Sequence, residues 1–79
     1  MTMLVPTHLI SSNLDVAGYR QGRLFIRFKS GCTYSYDRVP FECFQGLVAA
    51  DSSGQFFNRE IRGKYQYTKM EQDPFSGKA

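Results

Sequence analysis

This chain has no tryptophan, a single histidine, two cysteines and three prolines among 79 residues. His8 lies in an aperiodic stretch near the start, so a histidine-based triad or general base has no partner set around it. Cys32 and Cys43 are too few for a disulfide framework, and their spacing matches no metal motif. They read as small apolar residues kept reduced, with one bridge between them as the alternative. No apolar run approaches the roughly 18 residues of a membrane span. Residues 1–12 have neither a basic n-region nor a continuous apolar h-region, which argues against a secretory signal. The expected place is the cytoplasm. A phosphate-cradling glycine loop is also missing, and the acids Asp15, Asp37, Glu42, Asp51, Glu60, Glu71 and Asp73 are dispersed without a clear pair. The chain therefore reads as non-enzymatic, with no cofactor.

What is present is aromatic and basic. Seven Phe and five Tyr stand in a chain long enough for one domain only. So short a chain buries only about 60% of its unfolded surface. Aromatic rings, each burying roughly 150–250 Å², offset part of that deficit. The formal net charge is +3 and the pI near 9.1, which suits a polyanionic partner without demanding one. The cations are grouped. Arg20, Arg23, Arg27 and Lys29 fall in a stretch without acids. Arg59, Arg62, Lys64 and Lys69 form a second group interrupted by Glu60.

Alternation predicts strands over residues 14–19, 23–29 and 32–36, with turns at Arg20-Gln21-Gly22 and around Ser30-Gly31. The second turn leaves two registers open. A two-residue Ser-Gly turn pairs Lys29 with Cys32 and places Tyr34 and Tyr36 on the face of Arg27 and Lys29. A three-residue Lys-Ser-Gly turn, with Gly31 left-handed, pairs Phe28 with Cys32 and sends both tyrosines into the core with Leu24, Ile26 and Phe28. One residue of slip reverses the face. Pro40 opens a helix whose Phe41, Phe44, Leu47 and Val48 form an apolar stripe. Asp51, Ser52 or Ser53 caps a second helix through Phe56, Phe57 and Ile61, which Gly63 ends. Tyr65 and Tyr67 alternate after it as an extended tail or a short added strand. The expected fold is α+β: a three-stranded antiparallel meander covered by two helices, with an optional short C-terminal strand. Residues 1–10 read as an N-terminal arm, either loose or an extra edge segment, 11–70 as the domain and 71–79 as a frayed tail.

In order, Ser11-Ser12, Tyr19, Phe28, Gly31 leading to Tyr34-Ser35-Tyr36, Val39-Pro40, Ala50, Ser52 or Ser53 with Gly54, Phe57-Asn58, Ile61 and Tyr65 resemble the KTSC domain. That domain is named for the C-terminal extension of some lysyl-tRNA synthetases and also occurs alone in bacteria and phages. The likeness covers roughly residues 11–70. It implies a compact module whose suggested role is RNA binding, with no catalytic activity attached.

Three functional readings follow. The first is a binding module for RNA or a nucleotide-containing ligand: Tyr34, Tyr36, Tyr65 or Tyr67 stack bases, Arg27, Lys29, Arg59, Arg62 and Lys64 meet phosphates, and Asn58 holds a phosphate or base edge. The second is a protein-interaction module without nucleic acid, its cations serving solubility. The third is a homo-oligomer that sequesters a small nucleotide signal between subunits, in the manner of compact phage proteins. Each element also has an ordinary structural role: core tyrosines, a solvated basic strand face, Asn58 as a buried tie, and Ser52-Ser53 as a plain cap.

Overall fold

Apolar–polar alternation between residues 14 and 36 builds two successive antiparallel hairpins, and both turns close on glycine. The computed structural model describes residues 7–71 and Phe75. Strand β2 (Leu14–Arg20) turns through Gln21 and Gly22, both at positive φ (49° and 81°), into β3 (Arg23–Phe28). Two positive φ values define the turn that matches strand twist. The next turn is the three-residue one. Phe28 N–H donates to the Cys32 carbonyl at 2.8 Å, and Gly31 N–H to the Phe28 carbonyl at 2.9 Å. Gly31 sits at φ 103°, open to glycine and hardly to other residues. Strand β4 (Thr33–Tyr36) then pairs Tyr34 with Ile26 and Tyr36 with Leu24. Both tyrosines thus share the face of Leu24 and Ile26.

The sheet has five strands, paired in chain order, rather than the expected three. β1 (Thr7–His8) pairs with β2 through Thr7–Ala17 and His8–Val16, within the stretch read as a loose arm or an extra edge segment. β5 (Tyr67–Met70) pairs along the whole of β4, where an added strand was the option. Neither carries apolar alternation: β1 is two residues long, and β5 is exposed except at Met70. Ladder hydrogen bonds to an otherwise open sheet edge hold them, and hydropathy does not register such bonds. A register irregularity between Leu14 and Val16 also places these two on opposite faces, where simple alternation puts them together.

Two helices cover one face. α1 (Phe41–Ala49) starts after Pro40, and α2 (Ser53–Glu60) is capped by the Ser52 hydroxyl, which accepts from Gln55 N–H at 3.3 Å. Leu14, Ala17, Leu24, Ile26, Val39, Leu47, Phe57 and Ile61 are buried between the layers. Fully burying such a side chain contributes about 1.5–3 kcal/mol. Gly46 faces α2 and not the sheet, because a Cβ there would lie 2.7 Å from the Phe56 ring. Val39 N–H donates to the Gly22 carbonyl, and the Tyr19 hydroxyl donates to the Val39 carbonyl at 2.6 Å, fixing the sheet-to-helix link.

The opposite face holds Val16 and Phe25 under Phe75, which is buried at 8% exposure although it falls in the segment expected to fray. The rest of that expectation, residues 72–74 and 76–79, and residues 1–6 of the arm lie outside the described residues. Among the described residues no helix is long and apolar enough to cross a membrane.

A Cβ on Gly31 would meet nothing within 4 Å, so a substitution there tests the backbone alone. Gly31→Ala is expected to lower stability by about 1–2 kcal/mol, the cost of a left-handed backbone for an L-residue. The readout is a lower urea midpoint with unchanged slope. An unchanged midpoint would mean that the turn relaxes without strain and does not fix the register.

Candidate functional site

The register set at Gly31 brings five aromatic rings into a closed circuit. Phe28 meets Tyr34 at 5.6 Å, Tyr34 meets Tyr67 at 5.6 Å, and Tyr67 meets Tyr36 at 6.0 Å. Tyr36 meets Phe57 at 5.7 Å, and Phe57 closes on Phe28 at 5.7 Å. Four of these contacts are edge-to-face, the geometry that ring quadrupoles favour, worth about 0.5–1.5 kcal/mol each beyond burial. Three of the rings come from the sheet interior (β3 and β4), one from the edge strand β5 and one from α2. The circuit therefore ties both layers and the edge together.

These rings form the bed of an open cleft of about 570 Å³. Ser12 and Asn13, in the loop before β2, form one wall with Gly54 of α2. That wall is built by short polar contacts. The Ser11 hydroxyl accepts from the Asn13 and Leu14 N–H groups at 3.1 Å each, and Ser53 N–H donates to the Ile10 carbonyl at 3.0 Å. Gly54 lets the loop approach, since a Cβ there would lie 3.0 Å from the Ser11 hydroxyl oxygen. Lys29, Ser30 and Cys32 of the β3–β4 turn also line it, as do Asn58 of α2 and Arg62 and Gly63 just after the helix.

The rings are unequally accessible. Tyr36 is a buried floor at 5% exposure, Tyr34 is half-buried, and Tyr67 is 63% exposed. Burial pushes the Tyr36 phenol up to about 12; the neighbouring Tyr34 and Tyr67 add to this, and Arg62 pulls the other way. Charge is distributed unevenly as well. Arg23 pairs with Asp37 at 3.3 Å, Arg27 with Asp15 at 3.1 Å and Arg59 with Glu60 at 3.0 Å. Lys29 and Arg62 form no ion pair among the described residues, and no carboxylate lines the cleft among them.

Six of the ten residues nominated from sequence line this cleft: Lys29, Tyr34, Tyr36, Asn58, Arg62 and Tyr67. Asn58 is exposed there, and so is no buried tie. The other four lie elsewhere. Arg27 is on the opposite sheet face, paired with Asp15 and with its guanidinium 5.8 Å from the Phe75 ring centroid. Arg59 lies 5.7 Å from the Phe56 ring and faces away along α2. Lys64 is exposed beyond the helix end. Tyr65 is half-buried at the edge of the core, beside Cys43 of α1; burial raises both groups above their ordinary values. Ser52 and Ser53 act as structural groups, since the Ser53 hydroxyl donates to the Leu47 carbonyl at 2.9 Å. Both cysteines are free. Sequence reasoning missed Phe28, Phe57, Ser12, Asn13 and Cys32 as lining. Phe28 and Phe57 carried only a core signal, and the wall residues meet the rest through tertiary approach.

The structure is a small two-layer α+β domain with an aromatic-floored, cation-flanked cleft between sheet and second helix. The chain belongs to the KTSC domain family, whose profile matches residues 10–65. A protein of Tsukamurella paurometabola is 40% identical over 58 residues, 71% of this chain and 87% of that protein. A lysine–tRNA ligase of Trichormus variabilis is 38% identical over 47 residues, which are 60% of this chain but 8% of the ligase. The crystal structure of a KTSC domain protein from Yersinia pestis matches with a TM-score of 0.77 at 33% identity, over 85% of this chain and 97% of that one.

The Tyr36 phenol makes a pH prediction. A tyrosine is neutral when protonated, and its folded pKa of about 12 lies above the ordinary 10.0. Below pH 10 the resulting stability is fully present, and it is lost as pH rises through the window between the two values. The wild type is therefore expected to lose more urea stability between about pH 9.5 and 11.5 than Tyr36→Phe does. Equal losses would show that Tyr36 ionises as easily in the folded state as in the unfolded one.

Proposed function

We propose that this protein is a non-enzymatic binding module for RNA or a nucleotide-containing ligand, and that the cleft between sheet and α2 is its site. The observation that carries the reading is a coincidence in space. Aromatic faces and ion-pair-free cations meet in one concavity, while Arg23, Arg27 and Arg59 are matched by acids elsewhere. Exposed Tyr67 and half-buried Tyr34 offer faces to a base, Tyr36 holds them from below, and Lys29 and Arg62 meet phosphate oxygens. Asn58 can donate and accept, and so suits a base edge. Stacking needs no fixed base identity, because every base has a π-face. The lining offers these groups and, among the described residues, neither histidine nor carboxylate, which favours binding over proton-transfer chemistry. The kinship with a segment of a lysine–tRNA ligase adds an RNA-handling context.

The test is fluorescence anisotropy of labelled single-stranded RNA and of a labelled mononucleotide at low salt, with the molar mass of each mixture measured by light scattering. Tyr67→Ala should weaken binding about 5- to 150-fold, the worth of one stacked base. Arg62→Gln should weaken it too, and Arg23→Gln should leave it unchanged. Absence of binding by the wild type, or equal losses for Arg23→Gln and Arg62→Gln, would overturn the reading. A protein that binds only the mononucleotide, and only as a multimer, would favour sequestration between subunits.

A further inference from the structure

We propose that the site does not end at the cleft but continues over the front of β5, where Lys69 takes a second phosphate, so that the ligand is a single-stranded RNA segment rather than one nucleotide. This rests on the reading of the cleft given above. The register carries it. Tyr36 lies opposite Tyr67, and Tyr34 opposite Lys69. Tyr67 is on the cleft face, because its ring meets both Tyr34 and Tyr36. Met70 packs with Val16, Phe25 and Phe75 on the other face. Side chains alternate along a strand, so Lys69 stands on the same face as Tyr67, beside Tyr34.

Lys69 is exposed and forms no ion pair among the described residues, not even with Glu71 two positions on. A lysine on an edge strand also discourages pairing with other chains, and that role needs no ligand. Its position separates the two roles. Edge protection is served by a charge anywhere on β5, whereas Lys69 extends the row formed by Tyr67 and Tyr34. Lys29 lies two strands across from Lys69 and three residues further along than Ile26, the partner of Tyr34. Two strand spacings of about 4.8 Å already separate their backbones by roughly 10 Å. One phosphate would meet both only with the two side chains drawn towards each other over the aromatic bed, whereas a short run of phosphodiesters crossing it meets each where it stands. Arg62 flanks the bed from the helix side. The three cations therefore follow the path of a backbone with bases turned down onto Tyr34 and Tyr67.

The test compares the wild type, Lys69→Gln and Lys64→Gln on a single-stranded RNA hexamer and on a mononucleotide, each at several salt concentrations. Lys64 is an exposed cation outside the cleft and controls for net charge. The expected result is that Lys69→Gln weakens the hexamer several-fold, lowers the slope of log affinity against log salt by about 0.7 (one single-strand phosphate contact), and leaves the mononucleotide unchanged. Lys64→Gln should change neither. If Lys69→Gln leaves the hexamer slope intact, or weakens both ligands alike, the extended track is wrong while the cleft stands. If the wild type binds neither ligand, the parent reading fails and the track fails with it.

Discussion

The hairpin turn at Gly31 is the constraint on which this structure depends. Its φ of 103° admits a three-residue connection, and that connection decides which way Tyr34 and Tyr36 point. A two-residue turn would reverse both, because side chains alternate with a period of two. In the observed register they join Phe28 and Phe57, and the exposed Tyr67 can close the circuit from the edge strand. Core and cleft floor are therefore the same side chains seen from two sides. So short a chain has few residues to spare for a separate site, and using the aromatic core as the floor resolves that shortage.

The two sheet faces differ in how they treat charge. Behind the sheet, Arg27 is matched by Asp15 and covered by Phe75, which makes it part of a packed surface. In front, Lys29, Arg62 and Lys69 have no acidic partner among the described residues. Surface ion pairs contribute little to stability, commonly under 1 kcal/mol, so the difference says little about folding. It says more about field. A concavity with one sign of charge and apolar walls concentrates potential and draws counter-ions, which a neutralised face does not.

Much of this was legible in the sequence, and the remainder was hidden for specific reasons. Both helices and the three long strands carry clear periodicity, with Pro40, Ser52 and Gly63 as their punctuation. The KTSC kinship could be seen in the ordered run from Tyr34-Ser35-Tyr36 to Phe57-Asn58. The two outer strands were legible only as options: Tyr67–Met70 is held by ladder bonds along β4, and no apolar stripe announces it. Arg27 looked like a phosphate contact because the two-residue turn would put it on the face of Tyr34 and Tyr36, and the three-residue turn puts it behind the sheet. Asp15 lies twelve residues away, and only the sheet brings the pair together. Phe75 was hidden by its company of Pro, Ser and Gly, a composition that reads as a tail. Asn58, Arg62 and Tyr67 line the cleft because the aromatic–basic pattern happens to coincide with one concavity.

The most direct measurement is a backbone amide chemical-shift map of the protein titrated with a short single-stranded RNA. Binding in the cleft should move the amides of Lys29, Cys32, Asn58, Arg62 and Tyr67 together and saturate them with one dissociation constant, while Asp15, Arg23 and Phe25 stay in place. Shifts concentrated around Arg23, Arg27 and Phe25, or the absence of any saturable shift, would contradict the assignment of the aromatic-floored cleft as the binding surface.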